Sequence, residues 1–419
     1  MSWPGFRVFR HRDFRLLWIG AFLSFTGAQV QMVAQGAYVF HLNGRTTDLG
    51  LVAFFGMIPV TLLSPIMGVV VDLWDRKKIL IWVSLLMAAL AAWNAATLAF
   101  GHGDKPLTLL QILFVACLGG IMQTMEMPSR QTVVREVVGE KDLASAIPLQ
   151  AMTFNMARIV GPSIGGLLTA AVGYAVCFWI NAVSYVGIMF AVLSIKTDLR
   201  PATKRVQPIK DLIFEGMLYT FRNQSLKILF VMEGTLSLFG IPYIFQMPAI
   251  AKQMFNLDEA GLGMCYTSIG IGAFIGLVTL AGISLKPIKT KLVGSAMGTF
   301  AVCLVLLSLV RWTPLAFFLM AVMGASAIMQ FNTTNALFQM LSPDRLRGRV
   351  LSMHMWAISG LAPIGNLWMG LAGDQIGLRS TLIIGGILVS AGAVWAFTRR
   401  RLLQEPPVNG ADPAPEPAK

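Results

Sequence analysis

Long apolar runs alternate with short polar interruptions along the whole chain, and the runs exceed what the core of a soluble domain uses. They fall near residues 14–40, 49–71, 79–100, 107–127, 144–172, 174–195, 226–250, 261–285, 290–310, 314–340, 350–373 and 378–398. Each matches or exceeds the roughly 20 residues that a helix needs to cross about 30 Å of hydrocarbon. Backbone polar groups cannot stay unpaired in lipid, so such segments are helices. The pattern predicts an all-α integral membrane protein of twelve spans. Two places strain it: Gly173-Tyr174 alone joins the fifth and sixth runs, and the tenth absorbs Gln330, Asn332 and Asn335.

The longest polar connection, 196–225, separates six runs from six. It holds Pro201, Pro208 and an amphipathic stretch from Ile209 to Phe221 that suits a helix lying on a membrane surface. The expected organisation is a six-helix bundle over 1–195, a linker over 196–225 and a second bundle over 226–402. A Pro-, Ala- and Glu-rich tail over 403–419 has the composition of a disordered segment. The halves echo each other: Met127 to Leu143 between spans four and five has its counterpart in Gln330 to Leu346 between spans ten and eleven. Gly161-Pro162 likewise matches Ala362-Pro363. That correspondence predicts two pseudo-symmetric bundles from a duplicated unit.

Composition agrees, with 56% apolar and 13% charged residues where a soluble domain carries about a quarter charged. The net charge of +13 raises nucleic acid as a partner until its distribution is read. With the N-terminus placed in the cytoplasm, 27 Lys and Arg residues fall on the cytoplasmic side and five on the other, with Arg158 inside a span. This bias sets both termini inside and assigns the positive charge to anionic lipid, not nucleic acid. The run Arg7 to Arg15 before an apolar stretch resembles a signal peptide, but the stretch is too long for one and reads as an uncleaved first helix. Cys117, Cys177, Cys265 and Cys303 lie far apart inside apolar runs, as packing residues and not as metal ligands or disulfides.

The strongest local signal is Gly68-Val-Val-Val-Asp72-Leu-Trp-Asp75-Arg76-Lys77-Lys78, between spans two and three. A positive-inside anchor explains the basic residues but not a Gly and an Asp four apart at the membrane boundary. Gly68 admits a close helix neighbour, and Asp72 is placed to meet a helix N-terminus or an Arg. Here the chain resembles the major facilitator superfamily, whose signature in this loop reads G-x-x-x-D-x-x-G-R-[RK]-x-[RK]. Asp75 stands where many members have Gly, and Ile79 where the last basic residue falls. The Asp-Arg-Lys-Lys form is similar to the branch of drug and siderophore exporters that includes the enterobactin exporter. Phe14-Arg-Leu-Leu-Trp18, Met127 to Thr132, Asn155 to Gly166, Arg347 to Ser352 and Gly360 to Pro363 resemble that branch too.

Gly161-Pro162-Ser-Ile-Gly165-Gly166 resembles the superfamily's antiporter motif, with Ala157 where the family's first Gly falls. Gly161 and Gly165 form a small-residue face and Pro162 removes a backbone hydrogen bond, which suits tight packing and a seal or pivot alike. Charges inside spans are costly unless paired or hydrated, so Glu126, Arg158 and Glu233 are candidates for coupling or substrate binding; the structural alternatives are a fixed ion pair and snorkelling. One arrangement lets Glu126 or Glu233 exchange a proton while Arg158 binds an anionic substrate or depresses its carboxylate partner. Gln31, Gln35, Asn155, Gln246, Gln330, Asn332, Asn335, His354 and Asn366 are candidates to line the path, with interhelical hydrogen bonding as the plain alternative. Together with abundant Phe, Met and Trp they suit a cavity for amphipathic molecules.

No nucleophile motif, phosphate-binding loop or metal cluster stands out, so the chain reads as a non-enzyme with no cofactor, powered by a proton gradient. The expectation is a monomeric secondary transporter of the inner membrane, exporting amphipathic drug-like compounds or siderophores by alternating access. The alternatives are an uptake permease, a lipid flippase, or a membrane sensor that binds without transporting.

Overall fold

The computed structural model describes residues 4–103, 105–197, 209–282, 289–343 and 345–399, so the 403–419 tail and part of the linker lie outside the described residues. Those residues are helical, with no strand among them. A 3₁₀ turn (Pro4–Arg10) leads into α1 (Arg12–Asn43), α2 (Thr46–Leu73), α3 (Arg76–Phe100), α4 (Leu109–Val172) and α5 (Tyr174–Leu193). The amphipathic linker stretch is α6 (Ile209–Arg222). After it come α7 (Gln224–Phe239), a short α8 (Met247–Ala249), α9 (Glu259–Gly282), α10 (Lys289–Leu309), α11 (Thr313–Leu341), α12 (Arg347–Met355), α13 (Ala362–Ile376) and α14 (Leu378–Thr398).

Among the described residues, ten helical stretches are long and apolar enough to cross a membrane. The fifth and eleventh expected spans are not among the ten, though both places are helical. The fifth is the second arm of α4, where Asn155 and Arg158 dilute the apolar run. The eleventh is divided into α12, a π turn (Trp356–Gly360) and α13. The seventh is interrupted as well: after α7 the chain passes through a 3₁₀ turn (Ile241–Ile244), α8 and a π turn (Ile250–Met254). Pro242 and Pro248 lack the N–H that a continuous helix requires there.

The stretch from Met127 to Leu143 that separates spans four and five is itself helical on both sides of one break. α4 runs through Pro128 to Val138, breaks at Gly139 (φ 70°), and resumes through Pro148 and Pro162. Only glycine takes that left-handed conformation cheaply, so Gly139 sets the reversal. Gly173 (φ 82°) and Gly377 (φ 85°) do the same between spans five and six and between spans eleven and twelve.

The first half packs α1 on α4 and α5, α2 on α4, and α3 on α4 and α5; the second packs α9 on α11 and α10 on α11 and α14. Two seams join the halves, α2 against α13 and α4 against α9. Small residues permit them: a Cβ on Gly370 would stand 3.0 Å from the Cα of Gly50, and one on Gly166 would strike Gly263. Outside, Trp82, Val183, Phe274, Phe318 and Val394 are exposed, which is the surface of a protein solvated by lipid. α6 does not lie free: Glu215 pairs with Arg349 and, at 3.1 Å, with Arg345, so the linker helix is fastened to the base of α12.

Candidate functional site

The loop motif builds the layer of the first half at the end of α2 and the start of α3. Asp75 is the N-cap of α3 and accepts from Lys77 N at 2.9 Å and Lys78 N at 3.3 Å, satisfying two of the donors a helix start leaves open. An acid where the superfamily has Gly is therefore a cap. Arg76, buried, donates to Glu136 Oε1 at 2.5 Å. Lys77 Nζ donates to the carbonyls of Ile195 (2.7 Å) and Leu193 (3.1 Å), closing the C-terminal end of α5. Gly68 and Asp72 lie on the last turns of α2, where the packing of Gly68 and the side chain of Asp72 are outside what is described.

Deeper in, Glu126 is buried and ion-paired with Arg130 one turn along α4. The cation for Glu126 is thus Arg130, which the sequence places among the positive flank, and not Arg158. Arg130 also sits over the Phe25 ring at 4.4 Å, Phe25 meets Phe154 edge-on at 5.4 Å, and Arg158 lies over Phe154 at 5.6 Å. Arg158 makes no ion pair among the described residues. It is within electrostatic reach of Tyr243 in the other half, yet its side chain is solvent-accessible, so it faces the space between the halves.

The second half holds buried polar groups of a different kind. Glu233 on α7, Gln330, Thr333 and Thr334 on α11 and His354 on α12 are all buried. Both nitrogens of His354, both polar atoms of Gln330 and the hydroxyls of both threonines make no hydrogen bond. Thr334 presents its hydroxyl to the Glu233 carboxyl without closing a well-formed bond. His354 is held by rings, Phe338 at 5.0 Å and Phe331 at 5.6 Å. A buried carboxyl with no ion pair among the described residues must stay protonated or draw in a counter-charge.

The remaining candidates divide. Gln31 accepts from Asn181 at 2.6 Å and contacts Gln35 at 3.4 Å, tying α1 to α5. Asn155 and Asn332 bond their own helix backbones, at 2.9 Å each, and Asn335 accepts from Gln339 at 3.0 Å. Gln246 and Asn366 belong to the closed seam: Gln246 donates to Thr46 O at 3.2 Å, and Asn366 reaches Met57 Sδ at 3.4 Å. In the Gly161–Gly166 motif, Gly161 and Gly165 face α1, where a Cβ would stand 2.5 Å from Gln29 Cβ and 3.0 Å from Val30 Cα. Gly166 faces α9 of the other half.

Bonds between the halves cluster away from the linker. Asp374 accepts from Thr46 and Thr47, Tyr174 donates to Glu259 at 3.0 Å, and Thr267 donates to Ser163 at 2.7 Å. Two helical bundles meeting along two seams, with polar groups buried at their centre, define a membrane transporter of the major facilitator type. Residues 4–417 match the transmembrane secretion effector family, and the chain belongs to it.

Its relatives are transporters and not enzymes. It is 25% identical to the staphyloferrin A transporter of Staphylococcus aureus over 91% of this chain and 95% of that one. It is 24% identical to the multidrug efflux pump Tap of Mycolicibacterium fortuitum (92% and 95% covered), and 25% identical to macrolide efflux protein A of Streptococcus pyogenes (91% and 94%). Among solved structures, a bacterial homologue of the lysosomal transporter Spinster, inward-facing and unoccupied, superposes with a TM-score of 0.74 at 12% identity, covering 98% of this chain and 100% of that one. An inward-facing bacterial homologue of ferroportin gives 0.68 at 17% identity, covering 94% and 99%.

Proposed function

We propose that this protein is a proton-coupled exporter of amphipathic small molecules, drug-like compounds or siderophores, working by alternating access in a bacterial inner membrane with both termini in the cytoplasm. The observation that carries the reading is Glu233: a buried carboxyl with no ion pair among the described residues, facing the Thr334 hydroxyl in the half of the helices nearest the linker, where Gln330, Thr333 and His354 are also buried without hydrogen bonds. A group in that setting holds a proton when sealed from water and releases it when the path opens, which is the behaviour antiport needs. Arg158, facing the space between the halves, suits an anionic substrate group, and the Phe25 and Phe154 rings beside it suit the apolar body of the same molecule.

The seams support alternating access. Among the described residues the bonds between the halves gather on the side away from the linker, which suits a conformation that opens toward the linker. The Gly68–Lys78 loop would close that inner side when the outer side opens, through Asp72 meeting the start of α12. The efflux activities in the relatives' names favour export over uptake.

The deciding experiment measures substrate accumulation into inverted vesicles with and without an imposed pH gradient, for the wild type and for Glu233→Gln. Gradient-driven accumulation that Glu233→Gln abolishes, with downhill exchange retained, is the expected result. Accumulation indifferent to the gradient rejects antiport. Unchanged coupling in Glu233→Gln returns that residue to a packing role.

A further inference from the structure

The end of the α2–α13 seam away from the linker carries a device that the Gly68–Lys78 motif brings into focus. Asp374, on the last turn of α13, reaches across to the first turn of α2 in the other half. Its Oδ1 accepts from Thr46 N and from Thr46 Oγ1, each at 2.8 Å, and its Oδ2 accepts from Thr47 N at 3.0 Å. The N-cap residue of α2 is Arg45, whose side chain caps nothing. The cap that α2 lacks within its own half is thus supplied by a carboxylate from the other, where the helix dipole favours an anion. Gly370, one turn before Asp374, lets the helices touch: a Cβ there would stand 2.8 Å from Thr46 O and 3.0 Å from Gly50 Cα.

The spacing repeats the inner motif. Gly370, Asp374, Gly377 and Arg379 lie 302 residues after Gly68, Asp72, Asp75 and Lys77 in turn. The geometry repeats as well. Lys77, at the start of α3, donates to the carbonyls that end α5; Arg379, at the start of α14, donates to the carbonyls that end α10, Ser308 at 2.5 Å and Val310 at 3.4 Å. α2 and α13 are also the two helices of one seam, running in opposite senses, so the two motifs stand at its opposite ends. Helix starts match in a further respect: Leu346, the N-cap of α12, provides no side-chain cap, just as Arg45 provides none for α2.

We infer that Gly370–Arg379 is an outer latch reciprocal to Gly68–Lys78, in which the Asp374 carboxylate holds the outer side shut by capping α2 across the halves. Asp374 is a positioning residue: it touches no substrate, and it sets the population of the outward-closed state. The inference rests on the alternating-access reading. Each latch ties the end of one seam helix to the start of the other, so making one requires breaking its opposite, and bistability follows.

The test places spin labels on His102→Cys and Arg311→Cys, both exposed on outer loops of opposite halves, in a full-length protein with its four cysteines replaced and reconstituted in lipid. Distances between them are measured for the parent, Asp374→Asn and Asp72→Asn. Asn keeps the shape and one acceptor but loses the charge, and hydrogen bonds to charged groups are the strong ones, so the closed-to-open ratio should fall about tenfold in Asp374→Asn. Asp72→Asn should move it the other way. Outer distances that respond to Asp72→Asn but not to Asp374→Asn overturn the latch and leave alternating access standing. One unchanging distance in every variant, with or without a pH gradient, overturns alternating access itself. If Asp374→Asn does not fold, Thr46→Val removes one of the donors and is judged by the same criterion.

Discussion

Glu126 and Arg130 form a buried ion pair on successive turns of α4, and Arg130 spends its remaining contact on the face of Phe25. Nε and Nη1 of Arg130 make no hydrogen bond, so the guanidinium depends on that one carboxylate. Removing a single partner of a buried pair leaves an uncompensated charge, at a cost of about 3–5 kcal/mol, whereas replacing both by apolar groups is close to neutral. Glu126→Gln should therefore lower the thermal midpoint of purified protein sharply, and Glu126→Leu with Arg130→Met should recover most of it. If the double variant is as unstable as the single one, the pair is held by more than mutual charge.

The Gly166–Gly263 contact fixes how closely the α4–α9 seam closes. A Cβ on Gly166 would collide with the backbone of Gly263 and stand 3.0 Å from Glu259 O, leaving only separation of the helices. Overpacking of this sort costs about 1–3 kcal/mol, and here the cost falls on the closed outer side alone. Gly166→Val should keep the protein folded while opening the outer side to a membrane-impermeant thiol reagent at a cysteine placed in the seam. Gly187→Ala is the control: nothing lies within 4 Å of its Cβ, and a helical Gly→Ala change gains up to about 1 kcal/mol.

Much of this was legible in the sequence, and what was not shares a cause. Apolar run lengths located the helices, and the Gly68–Lys78 spacing identified the superfamily, because both are local patterns. In sequence Arg130 counts with the positive flank beyond the apolar run that ends at 127, whereas α4 passes through Pro128 and carries Arg130 into the protein. Asp374 carries no local signal of its own, since its meaning comes from Thr46, 328 residues away. The Gly370-x-x-x-Asp374-x-x-Gly377-x-Arg379 spacing was visible all along. It stands 302 residues on, between opposed helices, whereas the echo of Met127 to Leu143 in Gln330 to Leu346 stands 203 residues on, between like-oriented ones.

The outer latch should not itself be the pH sensor. Burial pushes the Asp374 carboxyl up, but the hydroxyl and backbone donors of Thr47 and Thr46 outweigh it and leave the group below the usual carboxylate range. Arg45, 3.7 Å away, adds a cation. A depressed carboxyl stabilises the closed state above its ordinary value and loses that contribution only as pH falls through the depressed one. Between about pH 5 and pH 8 the group is thus ionised in both states, and the outer distance distribution of a Glu233→Gln protein should be flat across that range. A slope there would assign a titrating role to some group at the outer seam.

His354 separates a working site from a merely tolerated one. Its ring is fully buried between Phe331 and Phe338, with neither nitrogen bonded within the protein. An unsatisfied buried polar group costs about 1–3 kcal/mol, so an apolar side chain of similar size should stabilise the helix contacts there. If the polar cluster around Glu233 serves transport, the same change removes a group that would hydrogen-bond to whatever enters. His354→Leu should therefore raise the thermal midpoint while lowering gradient-driven accumulation severalfold, the trade expected where a strained polar site is kept for function. A variant that is more stable and fully active would show that His354 only fills space. A variant that is less stable would show that its nitrogens are bonded in the membrane after all, and that the cluster is structural.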